Sequence, residues 1–362
     1  MCGIVRTKAP SLLVCSLHFE TTTFTPPYME GWLMNMKTIW KALIALNAVL
    51  AFVNPLTAPV AIAEDTIRVG HFPNITHVQG LVAQHLSRTG HGWFEERLGA
   101  DVKIEWYIYN AGPSAMEAIL ADSIDLTYVG PSPALNVYAK SNSEEARIIA
   151  GAAAGGAALV VQSNSGLQQP ADFRGKTIAT PQLGNTQDIA CRAWLANGGL
   201  KITQTGGEAF VVPTPNPDQL TLFQQKKVDA VWTVEPWVSR LEREAGGKVL
   251  VEQSRESITV LVSSVKFVKT KRELARKFAQ AHRELTEWIL AHPDEAKQMV
   301  RQELVAETHA EVSADLIAQA WKRIVLTTDV SVDEYQHFIS NAQQAGFMRA
   351  APDLSKLIER LN

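Results

Sequence analysis

The most constraining feature of this sequence is the alternation of short strand-type runs with longer helix-type segments from residue 66 onward. Runs such as 67–70, 125–129 and 228–232 are rich in apolar and β-branched residues, and each is followed by a helix-type segment. Alternation of this kind is typical of α/β folds with parallel strands. Because a Gly/Ala-rich stretch at 151–158 separates two such series, the sequence predicts two α/β units with a cleft between them.

Two local patterns make more detailed predictions within the first unit. In one strand-type run the apolar residues occupy every second position: Val102, Ile104, Trp106 and Ile108. A period of two places one face of a strand on the core. The segment 114–117 reads Ser-Ala-Met-Glu, the pattern of a capping box in which hydroxyl and carboxylate each accept a free backbone N–H. We therefore expect that strand face to be buried and a helix to begin at Ser114.

Composition excludes several classes of protein. The 362 residues include 34 Lys and Arg against 37 Asp and Glu, and 46% are hydrophobic, which argues against a disordered or collagen-like chain. A formal net charge of -3 lacks the basic surplus that general nucleic-acid binding needs, so we expect no nucleic-acid partner. Three cysteines are too few for a disulfide-stapled scaffold.

Residues 1–63 carry the three parts of a secretory signal peptide. Lys37 and Lys41 precede an apolar run at 42–53, and the small-x-small sequence Ala-Ile-Ala follows at 61–63. We expect cleavage after this site and a periplasmic location. We also expect translation to start at Met34 or Met36, so that the residues before that start are an extension from a mis-assigned start. The alternative is a retained membrane anchor, although the run is shorter than the about 20 apolar residues that span a bilayer.

The predicted corners between a strand and the next helix could hold a ligand. At 71–74, 130–132, 184–187 and 235–237, small or polar residues leave the N–H groups of a helix start open. Such groups, together with the helix dipole, favour an anion. Glu235 does not fit an anion site, because a carboxylate repels an anion unless it turns away or holds a cationic group of the ligand. The alternative is that these corners contain only ordinary N-caps and turn residues.

Several motifs occur in a fixed order along residues 65–362. They are Asn-Ala-Gly-Pro at 110–113, Ile-Asp-Leu-Thr-Tyr-Val-Gly at 124–130, Asp-Phe-Arg-Gly-Lys at 172–176, Gly-Asn-Thr-Gln at 184–187, and Val-Asp-Ala-Val-Trp at 228–232 with Glu-Pro-Trp at 235–237. This order resembles that of the periplasmic substrate-binding proteins of ABC importers. Within them it is most similar to the nitrate, taurine and aliphatic-sulfonate group, and above all to the aliphatic-sulfonate-binding proteins.

The resemblance implies an α/β fold of the type II periplasmic-binding-protein class, with two lobes, a hinge and an interlobe cleft that closes over a small ligand. It implies that lobe 1 consists of 64–155, lobe 2 of 156–258, and that 259–362 returns to lobe 1 and adds C-terminal helices. Carried over position by position, the ligand-binding residues are Phe72, Asn74, Pro131, Ser132, Asn185, Thr186 and Trp237.

The resemblance also implies a role in transport without catalysis. The protein is expected to capture a small organic anion, an aliphatic sulfonate, and to hand it to a membrane permease, acting as a monomer without cofactor or metal. Taurine, nitrate or a heterocycle such as a thiamine precursor remain alternative ligands. They stay open because the corner at 235–237 departs from the Asp-Pro-Tyr type of many relatives, and because the first corner carries His71 and His77.

Other functions are compatible with parts of the sequence. An enzyme on the same fold could use Cys191 or Glu235 as its reacting group, but no Gly-x-Ser-x-Gly elbow is present, and Cys191 is expected to pack in a core. A LysR-type regulator would carry an N-terminal helix-turn-helix, whereas 1–63 has the export pattern. The spacings of six and eight between four histidines do not match known zinc motifs: His71, His77, His85 and His91.

Overall fold

The computed structural model describes residues 65–99 and 101–361, which form two main β-sheets covered by helices. The strands are β1 (Asp65–His71), β2 (Val102–Ile108), β3 (Leu126–Val129), β4 (Ala146–Gly155), β5 (Ala157–Gln162), β6 (Thr177–Thr180), β7 (Ile202–Thr203), β8 (Gly206–Gly207), β9 (Phe210–Pro213), β10 (Ala230–Val234), β11 (Gly247–Gln253), β12 (Ser257–Ser264) and β13 (Ile324–Leu326).

The α-helices in this part of the chain are α1 (Val78–Arg88), α2 (Trp93–Leu98), α3 (Gly112–Leu120), α4 (Pro131–Lys140), α5 (Thr186–Asn197), α6 (Asn216–Gln224), α7 (Trp237–Ala245), α8 (Val265–Thr270), α9 (Arg272–Ala291), α10 (Pro293–Thr308), α11 (Ala314–Trp321) and α12 (Glu334–Gln344). Short 3-10 helices lie at Ile75–His77 and Pro170–Phe173. None of the described helices has the length and hydropathy needed to cross a membrane. The predicted signal peptide and the alternative anchor, both within 1–63, lie outside the described residues.

Lobe 1 is built on a six-stranded sheet in the order β13-β4-β12-β3-β1-β2. β1 pairs in parallel with β2 and β3, while β12 runs antiparallel to both β3 and β4. Lobe 2 is built on a five-stranded sheet in the order β11-β5-β10-β6-β9, in which β6 pairs in parallel with β9 and β10. In both lobes a helix connects successive parallel strands, as the alternation in the sequence predicts.

The chain passes between the two sheets twice. The first passage, between β4 and β5, is at Gly155 and Gly156, whose φ angles of 73° and 76° favour glycine. A Cβ on Gly155 would also lie 2.5 Å from the carbonyl oxygen of Arg323. The second passage, at 254–256, joins β11 of lobe 2 to β12 of lobe 1. The expected α/β architecture with two lobes is confirmed.

Helices cover both faces of the lobe 1 sheet. One face buries a cluster that includes Phe94 of α2 and Phe278 of α9, whose rings stack at 4.0 Å. The other face buries residues of α3, α4 and α12, and Ile189 of lobe 2 packs into the same cluster. Each large apolar side chain buried in this way stabilises the fold by roughly 1.5–3 kcal/mol. Because α12 contacts α5 as well as lobe 1, the C-terminal region spans the two lobes.

Two local predictions were wrong, for physical reasons. Helix α3 begins at Gly112 rather than Ser114, with Pro113 in its first turn, so the Ser114 hydroxyl is already inside the helix and caps nothing. Instead, Gln182 Nε2 of lobe 2 donates to Ser114 Oγ at 2.9 Å. Ile108 is 46% exposed rather than buried, because it is the last residue of β2, the edge strand of its sheet. Ile104 of the same strand is buried as expected.

A buried histidine makes the stability of lobe 1 sensitive to acid. His282 Nε2 lies 2.8 Å from the Gly151 carbonyl oxygen and Nδ1 lies 3.0 Å from the Tyr128 hydroxyl. Burial lowers the pKa of His282 to about 4, so the native ring stays neutral while the unfolded chain takes up a proton below its ordinary pKa of about 6.5. Stability is therefore lost as pH falls from about 6.5 to 4, by about 3 kcal/mol through this group.

This pH effect is measurable by urea unfolding of the wild type and of His282→Gln at pH 7 and pH 4.5. The variant is expected to be less stable at pH 7, because buried hydrogen bonds are lost, and to lose clearly less stability on acidification. An identical loss in both proteins would contradict the assignment of this sensitivity to His282.

Candidate functional site

The carboxyl ends of strands from both lobes meet at one cavity between them. In lobe 1 these strands are β1, β2 and β3, and in lobe 2 they are β6, β9 and β10. Ligands of open α/β sheets bind outside the carboxyl ends of the strands, so this cavity is the candidate functional site.

Helices α3, α4, α5 and α6 all begin at the cavity wall. Gly112 is the first residue of α3, Gly130 directly precedes α4, Asn185 and Thr186 start α5, and Asn216 is the first residue of α6. The first N–H groups of a helix have no partner within it, and the helix dipole adds about half a positive charge at that end. Several such ends around one cavity favour an anion without requiring a cationic side chain.

No Lys, Arg, Asp or Glu is among the described residues that line the cavity. The wall does include His77, which is buried. Burial and the nearby His71 hold the pKa of His77 well below its ordinary value, so its ring is neutral. Its Nδ1 accepts the Phe72 N–H at 3.4 Å, which leaves the ring proton on Nε2 as a donor. The wall therefore offers hydrogen-bond donors without a formal charge.

Asn74 joins the first corner of lobe 1 to lobe 2. Its Oδ1 accepts from Trp237 Nε1 at 3.1 Å and from Asn216 Nδ2 at 3.4 Å. The next residue, Ile75, donates its N–H to the Glu235 carbonyl oxygen at 3.1 Å. These bonds fix the corner that carries Phe72 and hold the lobes together across the cavity.

The start of α5 is held rigid by a buried ion pair behind it. Asn185 caps the helix, with its Oδ1 accepting the Asp188 N–H at 2.8 Å. Asp188 accepts from Gly184 N and from Thr180 Oγ1, both at 2.9 Å, and pairs with Arg192 Nε at 3.0 Å. Because Arg192 neutralises this carboxylate, the helix start stays rigid without presenting a negative charge to the cavity.

The start of α4 approaches the start of α5 closely. A Cβ on Gly130 would lie 2.3 Å from Thr186 Oγ1, so only glycine fits between the lobes at this position. Thr186 Oγ1 also accepts the Ser132 N–H at 3.4 Å. The Ser132 hydroxyl is buried and has no hydrogen-bond partner. The two helix starts thus contact each other at the cavity wall.

The structure places the seven predicted ligand residues in three different situations. Those on the cavity wall are Phe72, Asn74, Asn185 and Thr186. Pro131 and Ser132 lie in the first turn of α4, between the wall residues Gly130 and Pro133, and are not on the wall themselves. Trp237 is also off the wall and reaches it through its bond to Asn74.

Sequence reasoning missed other wall residues. Asn110 and Gly112 follow β2, and Asn216 follows β9. The signal for Asn110 and Gly112 is their position after a strand, the same signal that identifies the other corners. Asn216 stands between two prolines, and such a segment reads as a turn until the fold shows that a helix begins there.

The two residues considered as reacting groups do not face the cavity. Glu235 pairs with Arg323 Nη1 at 2.9 Å and accepts from Ser239 N and Oγ at 3.1 and 2.9 Å. Burial raises the pKa of Glu235, and the bond from Arg323 offsets part of that effect. Cys191 is fully buried in the core of lobe 2, and burial raises the pKa of its thiol. Cys191 packs as expected, and Glu235 turns away from the cavity.

The histidines considered as metal ligands have other neighbours. His71 Nε2 lies 3.2 Å from Glu307 Oε1 and His85 Nδ1 lies 3.6 Å from Glu303 Oε2. Burial opposes protonation of His71, but the nearby Glu307 carboxylate, together with Gln84 and the Phe72 carbonyl, outweighs burial and raises the pKa of His71. Across 65–99 and 101–361, no group of three or more His, Cys, Asp or Glu side chains is arranged to hold a metal ion.

Known proteins share this fold. The alkanesulfonate-binding protein of Xanthomonas axonopodis pv. citri, solved bound to MOPS, superimposes with a TM-score of 0.66 at 18% identity, covering 82% of this chain and 98% of that one. The periplasmic nitrate-binding protein of Synechocystis PCC 6803 superimposes with a TM-score of 0.63 at 15% identity, covering 80% and 83%. The fold is therefore that of the periplasmic binding proteins, as the motif order implies.

Proteins that are similar in sequence belong to the same kind of binding protein by name. A Bacillus subtilis (strain 168) protein with the provisional name aliphatic sulfonates-binding protein is 26% identical over 230 residues, 58% of this chain and 62% of that protein. The chain thus spans about six-tenths of the length of the curated relatives it matches. The NMT1-like family matches residues 61–305, and the chain belongs to that family.

Proposed function

We propose that this protein is the extracytoplasmic solute-binding component of an ABC importer, which captures a small organic anion in the cleft and delivers it to a membrane permease. The observation that carries this proposal is the convergence of the starts of α3, α4, α5 and α6 on a cavity without charged side chains among its described wall residues. With a net charge of -3, the chain does not attract anions as a whole, so local N–H groups and helix dipoles must supply the attraction.

An aliphatic sulfonate is the ligand that we propose. The names of the Bacillus and Xanthomonas proteins support this class. A sulfonate has three acceptor oxygens and no donor, which suits a wall rich in N–H groups, amides and the neutral ring of His77. The apolar wall residues Phe72, Val234 and Ile258 give the carbon chain a surface to contact.

We infer that the cleft closes over the ligand by bending at the two passages between the sheets. The bonds from Trp237 and Asn216 to Asn74, and from Gln182 to Ser114, join the lobes directly. Domain closure of this type surrounds a ligand with groups from both lobes. Residues 1–63 support a periplasmic location, where we expect the protein to act as a monomer.

The chemistry of the wall supports the proposed role without catalysis. The described wall residues include no thiol, carboxylate or amine, and Cys191 and Glu235 are engaged elsewhere. His77 is the wall group able to exchange a proton, but its low pKa and its bond to the Phe72 N–H favour a fixed neutral donor. General acid–base catalysis needs a group whose pKa is near the working pH.

A heterocyclic ligand is the second candidate. The rings of Phe72 and His77 lie against each other at the wall with centroids 4.2 Å apart and an angle of 32° between their planes, and an aromatic ligand gains from offset stacking on an exposed aromatic ring. Because Trp237 lies off the wall, Phe72 would supply the stacking. Phe72→Leu is therefore expected to weaken a heterocycle more than an alkanesulfonate. Taurine and nitrate are alternatives within the same anion class.

Calorimetric titration of the purified protein tests the proposal. The ligands are 1-butanesulfonate, taurine, nitrate, and a thiazole or pyrimidine alcohol as the heterocycle probe. We expect one sulfonate per protein with the highest affinity, together with an upward shift of the melting temperature. Neither heat nor a thermal shift with any sulfonate would refute the sulfonate assignment, and binding of the heterocycle alone would replace it with the second candidate.

A further inference from the structure

A cluster of titratable side chains lies inside lobe 1, next to the first corner of the cleft. Two of its members are Glu303 and Glu307, four positions apart on α10, whose side chains are both fully buried. Helix α1 contributes His85 and Arg88, and β1 contributes its last residue, His71. None of these five side chains lines the cleft cavity, so the proposed contacts to the anion give them no role. We call Glu303 and Glu307 the acid pair.

The acid pair is short of hydrogen-bond donors. Arg88 Nη2 donates to Glu303 Oε1, but Glu303 Oε2 and both carboxyl oxygens of Glu307 are buried without a hydrogen-bond partner. A buried acceptor without a donor is costly, and more so when it carries a charge. The two carboxyl groups are close enough for a hydrogen bond between them. One proton on the pair therefore turns one carboxyl into the donor that the other lacks.

The charges around the acid pair also favour one proton on it. Two carboxyl groups that share a buried site resist ionising together. Burial raises the pKa of Glu303 to about 7; Arg88 opposes this shift and Glu307 adds to it. His85 Nδ1 lies 3.6 Å from Glu303 Oε2, but burial and Arg88 lower the pKa of His85, so this ring supplies no fixed charge. The pair therefore gains or loses its proton near neutral pH.

His71 links the acid pair to the corner of the cleft. Its Nδ1 lies 3.3 Å from the Phe72 carbonyl oxygen, and its Nε2 contacts Gln84 Oε1 and lies 3.2 Å from Glu307 Oε1. A neutral imidazole has one N–H. Because both ring nitrogens of His71 face acceptors, the geometry favours the positively charged ring, held beside the negative charge of Glu307.

The positive charge of His71 acts at the cleft wall. Phe72, the next residue, lines the cavity, and its N–H donates to Nδ1 of the wall residue His77 at 3.4 Å. After burial, the charge of His71 is the second cause of the low pKa of His77. Salt screens such a buried charge much less than an exposed one. An anion in the cleft therefore interacts with the net charge of the cluster.

Other charged groups close to the cluster are engaged elsewhere. On α2, Glu95 Oε1 accepts from Ser87 Oγ at 2.7 Å. Trp106 of β2, whose ring meets that of His71 edge-on at 5.6 Å, donates its Nε1 to the same hydroxyl at 3.2 Å. On α10, Arg301 Nη1 donates to the Val312 carbonyl oxygen at 3.3 Å. Glu95 and Arg301 therefore direct their charges to neighbours other than the acid pair.

We propose that Glu303 and Glu307 share one proton, and that an anion binds in the cleft together with uptake of a proton by this pair. This inference rests on the proposed function and adds a regulation of the same site. With the proton, the cluster carries one net positive charge, from Arg88 and His71 against one carboxylate; without the proton it is neutral. The anion favours the protonated pair, and by reciprocity the protonated pair favours the anion. Affinity is therefore highest below about pH 7 and falls as pH rises through that value.

Titration with 1-butanesulfonate at pH 6, 7 and 8.5 tests the coupling, with nitrate as a second probe. We expect affinity to fall about three- to tenfold from pH 6 to pH 8.5, the effect of one unit charge about 10 Å away after screening by salt. A pH electrode in unbuffered salt solution is expected to record uptake of about 0.3–0.5 proton per bound anion near pH 7.

Glu303→Gln separates this coupling from a structural role. The amide resembles the protonated acid in shape and can donate to Glu307. The variant is therefore expected to bind butanesulfonate at pH 8.5 nearly as tightly as the wild type does at pH 6, a gain that a folding defect does not produce. The matched control is Glu295→Gln, an exposed change on the same helix, which is expected to keep the wild-type pH dependence.

Infrared spectroscopy of the free wild-type protein tests the shared proton without ligand and without a variant. The C=O stretch of a protonated carboxyl is expected at pH 6, where exposed carboxyl groups are ionised, and it is expected to disappear with a midpoint near pH 7. Glu303→Gln is expected to lack this band. Absence of the band from the wild type at pH 6 would overturn the inference.

The outcomes distinguish this inference from the function on which it rests. An affinity for butanesulfonate that is the same from pH 6 to pH 8.5, or that falls equally in the wild type and in Glu303→Gln, would overturn the coupling and leave anion binding standing. Failure of butanesulfonate, taurine and nitrate to bind at every pH would overturn the proposed function and the coupling with it, while the infrared band would still decide whether the acid pair shares a proton.

Discussion

Replacing Gly130 with valine is expected to weaken ligand binding by at least about a hundredfold while leaving the two lobes folded. The backbone at Gly130 has φ −65° and ψ 149°, which any residue adopts without strain. Its Cβ, however, would lie 2.3 Å from Thr186 Oγ1 on the opposite lobe. A branched side chain there must hold the lobes apart, so the helix starts of lobe 2 no longer reach an anion held by lobe 1.

The measurement is a calorimetric titration with the best sulfonate, paired with thermal unfolding of the free protein. A hundredfold loss corresponds to about 2.8 kcal/mol. The control is a rescue experiment: Thr186→Ala in a Gly130→Ala background removes the clashing oxygen and is expected to recover part of the affinity lost by Gly130→Ala alone. Wild-type affinity in Gly130→Val would show that the cleft does not close on its ligand at this point.

Arg323→Met is expected to destabilise the protein by about 3–5 kcal/mol at pH 7, the cost of leaving one buried charge of a pair without its partner. Arg323 precedes β13 in lobe 1, and its guanidinium contacts Glu235 and Glu242 at 2.9 Å and Glu252 at 3.5 Å, all in lobe 2. Glu235 is fully buried, so its carboxylate loses its counter-charge in this variant. Methionine keeps much of the side-chain volume, which limits the effect to charge.

The pH dependence of this variant identifies the cause. Burial raises the pKa of Glu235, so its native state binds a proton more tightly than the unfolded state, and the associated stability is lost as pH rises. Urea unfolding of Arg323→Met is therefore expected to show partial recovery at pH 5, and adding Glu235→Gln is expected to recover most of the loss at pH 7. A loss below about 1 kcal/mol that is independent of pH would show that the pair is not a structural link between the lobes.

The positions of the corners could be predicted from the sequence, because strand-type runs mark where each parallel strand ends. The corner before α5 is an example. The alternation of strand-type and helix-type segments predicts a corner there, and its residues Asn185 and Thr186 lie on the cavity wall. Trp237 shows the limit of that reasoning. It belongs to a predicted corner, yet its link to the cavity wall is a hydrogen bond to Asn74, 163 positions earlier in the chain, and no local pattern encodes such a pair.

Predictions from local patterns also failed where tertiary contacts determine the start of a helix or the exposure of a residue. The sequence around Ser114 fits a capping box, but the helix begins earlier and the serine bonds to Gln182 of the other lobe. Likewise, the alternation in β2 predicts a uniform buried face, whereas exposure at Ile108 depends on β2 being an edge strand.

The most direct test of this account is a crystal structure of the protein grown with 1-butanesulfonate. We predict that the sulfonate group lies in the cavity between the lobes, with its oxygens about 2.7–3.2 Å from N–H groups at the starts of α4 and α5. A sulfonate bound to surface lysines or arginines, with only solvent between the lobes, would contradict it.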